Sequence, residues 1–172
     1  AFKENFLNIP LVNIWLNNLK ASLLSKFPDS RLPTPDFSFL PTYDIDEAYS
    51  YKHKGWRRSA GAAIKDLLLG KFKKFTLRRK VLNNKADDPF DAYDWMDKLH
   101  RPHKQKPRYF FHVAGKTGRY DRNNLPTETA MQNLIRQHAD NYVVGVHPSW
   151  QSCDDPLLFK KEFERIELIL KI

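Results

Sequence analysis

The sequence is poor in the features that define several classes of protein. It has one cysteine, Cys153, in 172 residues, so it forms no internal disulfide and offers no zinc site built on several thiolates. No apolar run approaches the roughly 20 residues that span a bilayer, so we expect no membrane span. Disorder is also excluded, because 13% of the residues are aromatic. We therefore expect one folded domain with a real hydrophobic core.

The net charge of +9 is concentrated in one segment. Residues 51–85 contain twelve Lys or Arg and a single acid, whereas the rest of the chain contains 17 basic and 19 acidic residues. A basic segment of this kind invites a nucleic-acid interpretation. It carries no recognised nucleic-acid motif, however, and a basic helix more often presents a solvated face, so nucleic acid is not the favoured partner.

The two ends suggest a chain taken from a longer protein. The N-terminus has neither an initiator Met nor a signal-peptide pattern, and the C-terminus stops inside an amphipathic helical pattern. We predict a helix and a Pro-rich linker over residues 1–35 and a second domain over residues 36–172. The sequence does not decide between a cytoplasmic and a cell-envelope location.

The second domain alternates apolar β-rich runs with helical patterns. We predict strands at 37–43, 108–114 and 142–146, the second of them covered on both faces. A basic helical hairpin or interrupted helix is predicted at 59–82, with a break at Gly70, and a further helix at 126–138. Asp88-Pro89 and Asp155-Pro156 each predict a helix start, with the Asp as N-cap. The alternation predicts an α/β fold whose three parallel strands lie in sequential order.

In parallel α/β folds, functional side chains collect at the carboxyl ends of the strands. Here those ends carry Asp44 and Asp46, then His112, then His147. A period of two places the two carboxylates on one side of the first strand, where they either repel or share a cation. A divalent metal held by one carboxylate and an imidazole, with the other carboxylate free to accept a proton, would make a hydrolytic site.

Five segments also carry a family resemblance. TYDID (42–46), RYFFHVAG (108–115) and GVHPSW (145–150), with DEAY (46–49) and DPFDAYDW (88–95), resemble a bacterial deacetylase-like branch of the polysaccharide deacetylase (NodB-like) superfamily. The resemblance covers residues 36–172. It implies a partial (β/α) barrel with a parallel sheet core, of which this chain would contain the N-terminal part. It also implies a metal-dependent hydrolase that removes acetyl groups from a polysaccharide or other glycan.

The resemblance assigns roles position by position. Asp44 matches the catalytic base, and Asp46 and His147 match ligands of a divalent metal, zinc in the family. Two positions depart from the pattern: Ile45 separates the two aspartates, and Gln151 stands where the family has its second metal histidine. Either another residue completes the metal site, or segments outside this chain do, or this branch has lost the metal.

Three further residues are candidates with structural alternatives. His112 is the nearest candidate for a further metal ligand, although a packed core imidazole is the favoured interpretation. Ser149 is interpreted as a turn or cap residue that helps to orient His147, since no nucleophile elbow surrounds it. Trp150 either stacks on a sugar ring or packs in the core.

Three functional classes stay open, in this order: a carbohydrate deacetylase, a catalytically inactive module that binds glycan or protein, and a nucleic-acid binder using residues 51–85. We also expect self-association, because a partial barrel leaves apolar surface and strand edges uncovered.

Overall fold

A computed structural model describes residues 3–4, 6–33 and 38–171, and the chain divides into two compact units, Ala1–Phe39 and Leu40–Ile172. The predicted domain boundary at 35/36 and the predicted strand start at Phe37 lie outside the described residues. The first unit contains helix α1 (Leu11–Lys26), in agreement with the predicted N-terminal helix. In the described part of the chain, no helix has both the length and the hydropathy of a membrane span.

The second unit alternates strands and helices in the predicted order. Its elements are β1 (Thr42–Ile45), α2 (Trp56–Leu68), α3 (Phe72–Leu82), α4 (Tyr93–His100), β2 (Arg108–His112), α5 (Thr129–Ala139), β3 (Val143–His147) and α6 (Pro156–Leu170). Short 3-10 helices follow α4 at Arg101–His103 and β3 at Trp150–Cys153. The strands form one parallel sheet in the order β1-β2-β3, which confirms the predicted α/β class and strand order. Over the described residues, the sheet is open and has three strands.

The first strand begins later than the sequence predicted. β1 starts at Thr42, directly after Pro41, whose carbonyl accepts a hydrogen bond from the Arg108 backbone N–H. Proline has no N–H to donate to a ladder, so it stands at the start of a strand rather than inside it. This shift moves the end of β1 to Ile45 and brings Asp46 to the carboxyl edge of the sheet.

One face of the sheet is covered, and the hydrophobic core lies there. Tyr109 and Phe111 of β2 are fully buried, whereas Arg108 is exposed and Phe110 half-buried. The second face is covered only towards the end of β2, where His112 is buried, so the prediction that this strand is covered on both faces holds there and fails at Arg108. Helices α5 and α6 supply most of the covering side chains, namely Met131, Leu134, Ile135, Ile166 and Ile169.

The basic helical segment is interrupted as predicted. Its spacing predicts a covered stripe of Ala60, Ala63, Ile64, Leu67 and Leu68, and none of these residues is buried. The interruption falls between α2 and α3, where Gly70 has φ of +66°, a conformation that a Cβ disfavours. Ile64 and Leu68 of the predicted stripe are exposed, and the buried residue of α2 is Asp66. The Asp66 carboxylate accepts two hydrogen bonds from Arg78 of α3, at 2.8 Å from Nη2 and 3.2 Å from Nε.

Asp88 does not cap a helix, contrary to the sequence prediction, and α4 begins five residues later at Tyr93. Its buried carboxylate accepts N–H hydrogen bonds from the loop after β1, at 2.7 Å from Ser50, 2.8 Å from Tyr51 and 3.0 Å from Lys52. Burial opposes ionisation, but these donors and the Phe90 N–H outweigh it and hold the pKa of Asp88 below its usual range. Asp88 thus fixes the loop that follows β1.

The last helix begins as predicted, and its buried face agrees with the prediction only in part. The Asp155 side chain accepts from the backbone N–H groups of Leu157 and Leu158, as an N-cap does. The helical spacing predicts a covered face of Phe159, Phe163, Ile166 and Leu170, and of these four Ile166 alone is buried. Glu162 and Ile169 are the other buried residues of α6.

Candidate functional site

Two histidines meet where β2 and β3 end. His112 and His147 are register partners across the parallel pair, so their side chains leave the same face of the sheet. The Nδ1 atoms of the two rings lie 3.3 Å apart, within hydrogen-bond distance, and the ring centroids are 5.4 Å apart. Sequence position and strand register together therefore create an imidazole pair at the carboxyl edge.

Each histidine has a carboxylate beside its other ring nitrogen. Oδ1 of Asp46, just after β1, lies 3.5 Å from Nε2 of His147. Oδ1 of Asp121, in the loop between β2 and α5, lies 3.3 Å from Nε2 of His112, although this contact is not in line for a hydrogen bond. The four side chains form a continuous row, Asp46, His147, His112 and Asp121, which we call the Asp-His row.

The loop that carries Asp121 is tied to both neighbouring strands. Oδ1 of Asp121 accepts a hydrogen bond from the Trp150 backbone N–H at 3.0 Å. The Asn123 side chain donates to the carbonyls of His112 at 3.2 Å and Ala114 at 3.0 Å. Asp121 and Asn123 are both buried, so the row rests on a fixed framework.

A buried acid of α6 anchors the turn after β3. Oε2 of Glu162 accepts the Ser149 backbone N–H at 3.0 Å, and the Ser149 carbonyl accepts from the Ser152 hydroxyl at 2.8 Å. Ser149 and Glu162 are each 1% exposed. The predicted positioning role of Ser149 thus has a physical basis in its backbone, since the anchored turn directly follows His147.

The Asp-His row forms part of the wall of a cavity of about 420 Å³, which we call the site cavity. Tyr120 and Trp150 form an aromatic pair on this wall, with ring centroids 4.5 Å apart and planes inclined by 30°. The remaining lining residues are Glu47, Arg122, Pro148, Ser149 and Cys153.

Buried polar atoms that lack a hydrogen-bond partner concentrate around the site cavity. Within the described ranges there are five such side-chain atoms, on Tyr109, His112, Asp121, Asn123 and Ser149. Three of these residues, His112, Asp121 and Ser149, line the cavity. Native proteins leave few such atoms unpaired, so a cluster of them at one cavity is typical of a place where a ligand or water completes the bonding.

Burial lowers the pKa of His112 below its ordinary value of 6.5. The neighbouring His147 lowers it further, while Asp121, Glu162 and Asp46 oppose the shift. Burial dominates because it disfavours the charged imidazolium. His112 is therefore neutral at pH 7, and each of its ring nitrogens is either a donor or an acceptor but not both.

The structure brings five of the six candidate residues together. Asp46, His112, His147, Ser149 and Trp150 all line the site cavity. Asp44 is not among the lining residues; it is exposed on β1, in register with Phe110.

Sequence reasoning missed Asp121, Tyr120 and Glu162. The sequence around Tyr120 and Asp121 is that of a polar loop without periodicity, and Glu162 occupies a position in α6 where the helical pattern predicts no burial. An aspartate next to an aromatic residue in a loop after a strand was the one available signal.

The donor set does not fit a resident catalytic zinc. Such sites use three protein ligands, and in the part of the chain that the structure describes no group of three His, Cys, Asp or Glu side chains is placed to hold a metal ion. Asp46 and the near nitrogen of His147 are two donors side by side, but Asp121 lies beside the far ring. The divalent metal stays a prediction, which metal analysis of the protein tests.

Comparison with protein-family models, with curated proteins and with solved structures found no match to this chain. The resemblance to polysaccharide deacetylases therefore rests on the residues quoted above. The fold and the site define an α/β protein with a three-stranded parallel sheet and a histidine-carboxylate cavity at its carboxyl edge.

Proposed function

We propose that this protein is a hydrolase of the polysaccharide deacetylase type, which removes acetyl groups from a carbohydrate at the site cavity. The observation that carries the proposal is the Asp-His row, which lines a cavity together with unpartnered buried polar atoms and an aromatic pair. The partial (β/α) barrel implied by the resemblance is part of the same proposal, and the open parallel sheet is compatible with it.

One arrangement of protons suits the contacts of His112 and leaves His147 as the basic group of the row. His112 carries its proton on Nε2, beside the Asp121 carboxylate, and its Nδ1 then accepts from Nδ1–H of His147. Nε2 of His147 is left as an acceptor beside Asp46. His147 is about one-third exposed, so this nitrogen is accessible to a water molecule. The neutral state of His112 supports the arrangement, since a protonated ring has no acceptor nitrogen.

The row then acts as a positioned base. Nε2 of His147 takes a proton from a water molecule as the water oxygen bonds to the acetyl carbonyl carbon. The Asp46 carboxylate stabilises the imidazolium that forms. The bond from the acyl carbon to the sugar oxygen or nitrogen breaks, and that atom takes the proton from His147. Acetate and the deacetylated sugar leave.

The aromatic pair gives the cavity a surface for a sugar ring. Trp150 is 60% exposed although its backbone N–H is fixed by Asp121. An exposed aromatic side chain on a fixed backbone loses little conformational entropy when it binds a ligand. The same feature supports the second candidate function, a catalytically inactive module that binds glycan.

The proposal is tested by acetate release from a panel of acetylated oligosaccharides. We expect His147→Gln to lower kcat/KM by about 10² to 10⁴, the usual contribution of a general base, with substrate binding retained. Asp44→Asn separates this mechanism from the role that the resemblance implies for Asp44. If only His147→Gln loses activity, His147 of the Asp-His row is the base. If only Asp44→Asn loses activity, Asp44 is the base. A wild type that binds oligosaccharide without releasing acetate supports the inactive module.

A further inference from the structure

A second cavity of about 280 Å³ adjoins the site cavity, and we call it the basic cavity. Glu47 and Arg122 line both cavities, and Glu47 directly follows Asp46 of the Asp-His row. Because the two cavities share these lining residues, a ligand in the site cavity can extend into the basic cavity. The other lining residues are Ser50, Tyr51, Lys54, Arg58, Ser59, Ala62, Lys74, Arg78 and Phe90.

The basic cavity has a large excess of positive charge. Five cationic side chains line it, and Glu47 is its only acidic lining residue. Nζ of Lys54 lies 2.6 Å from Oε1 of Glu47, and the same oxygen is 3.8 Å from Arg58. Arg78 is paired with Asp66 outside the cavity wall. Arg58 and Lys54 thus share one carboxylate, and in the described ranges Lys74 and Arg122 have no carboxylate within ion-pair distance.

Several of these cations are held in place, unlike the mobile lysines of a solvated surface. The Lys54 side chain is only 8% exposed. Arg58 donates to the backbone carbonyls of Asn123 at 3.0 Å and Arg122 at 3.2 Å, which ties α2 to the loop of Asp121. The Arg78 guanidinium lies 4.8 Å from the centre of the Tyr51 ring. Cations fixed before binding lose little entropy when an anion arrives.

We propose that the basic cavity binds an anionic group of the glycan, a carboxylate or a sulfate, while the neighbouring acetylated sugar lies in the site cavity. The inference rests on the proposed function and extends it, because it names the substrate as an acidic polysaccharide. Arg58 and Arg122 supply the guanidinium groups that pair with planar or tetrahedral oxyanions. Lys74 of α3 adds a third cation to the lining.

The test uses ligands without acetyl groups, so that it does not depend on hydrolysis. Binding of tetragalacturonate, a sulfated galactose tetrasaccharide and neutral cellotetraose is measured by titration calorimetry on the full chain. We expect at least one acidic tetrasaccharide to bind more than tenfold tighter than the neutral one, and the acid that binds identifies the anion. If the protein releases acetate but does not prefer acidic ligands, the anion-binding role of the basic cavity is overturned and the hydrolase proposal stands. If it prefers acidic ligands but releases no acetate, the hydrolase proposal is overturned and the anion-binding role stands.

Lys74→Glu and Lys73→Glu form a matched pair, because both are exposed lysines of α3 and only Lys74 lines the basic cavity. Lys74→Glu should weaken binding of the acidic tetrasaccharide by about fivefold, as expected for a partly screened ion pair, and Lys73→Glu should change it much less. Equal losses in the two variants would overturn the proposal, because they would indicate diffuse surface attraction. Tighter binding of a single-stranded thymidine oligonucleotide, with the same dependence on Lys74, would also overturn it in favour of nucleic acid.

Discussion

His138 lies inside the aromatic core of the second unit. Its ring packs edge-on against Tyr109 at 4.6 Å and Phe111 at 5.4 Å, and Nδ1 is 2.8 Å from the Leu134 carbonyl. Burial lowers the pKa of His138 below 6.5, and the hydrogen bond to Leu134 and the charge of Asp97 only partly oppose it. The core therefore accepts this histidine in its neutral form.

A pH dependence of stability follows from this burial. Below pH 6.5 and down to the lower pKa of the folded state, the unfolded chain binds more protons than the folded one. The free energy of unfolding should therefore fall as the pH falls, by at most about 1.4 kcal/mol per pH unit for one group. Urea denaturation at pH 7.5, 6.5 and 5.5 measures this slope.

His138→Gln should flatten the slope, while His103→Gln, at an exposed position of a 3-10 helix, should leave it as in the wild type. Parallel curves for the wild type and His138→Gln would contradict the account.

The sequence predicted most of the side chains that gather at the site cavity, and the roles it assigns to them stay predictions. His112 and His147 were placed together because residues that end neighbouring parallel strands share an edge. Asp121 was not found, since its place depends on a loop whose path is set by Asn123 and the Trp150 N–H. Hydrogen bonds between residues distant in sequence leave no periodic signal.

The basic helical hairpin is held together by a buried ion pair. Asp66 of α2 and Arg78 of α3 are 6% and 7% exposed, and the pair is stacked against Tyr51. Removing one member of a buried pair leaves an uncompensated charge, which is more costly than replacing both.

We expect Asp66→Asn to lower the free energy of unfolding by about 3 kcal/mol. The double variant Asp66→Leu with Arg78→Met should lose less than that, because no charge stays buried. Lys160→Ala is the control, since it breaks the exposed Lys160–Glu164 pair and should cost less than about 0.5 kcal/mol. Chemical denaturation measures all three. A double variant less stable than Asp66→Asn would contradict this view of the hairpin.

The positions of the helices and strands could be predicted from the sequence, whereas the buried faces of α2 and α6 could not be predicted in full. Gly70 and the Asp155-Pro156 pair marked a helix break and a helix start because their effects are local. The buried face of α2 was not predicted, and that of α6 was predicted only at Ile166, because each helix buries an acid, Asp66 or Glu162, whose partner lies on another element. Apolar periodicity does not detect burial that depends on a distant polar partner.

The molecule as a whole exposes apolar surface at a sheet edge. β3 pairs with β2 on one side, and in the described ranges its other side has no strand partner. Val143 at the start of β3 is 62% exposed. Exposed apolar edges of this kind favour pairing between molecules.

We expect concentration-dependent self-association in sedimentation velocity. Val143→Lys should weaken it several-fold, because charged residues on edge strands oppose edge-to-edge pairing. Leu68→Lys, at an apolar position of α2 that is 81% exposed, is the control and should associate like the wild type. A strict monomer at high concentration, or equal weakening by both variants, would contradict the prediction.

In the proposed mechanism, His147 takes a proton from the water molecule that attacks an acetyl group of the carbohydrate. The most direct measurement is the mass of the acetate released when the wild type and His147→Gln act on acetylated oligosaccharides in water enriched in oxygen-18. We expect one heavy oxygen in each acetate from the wild type and a rate about 10² to 10⁴ lower for His147→Gln. No labelled acetate above the buffer background, from a wild-type protein that is folded, would contradict it.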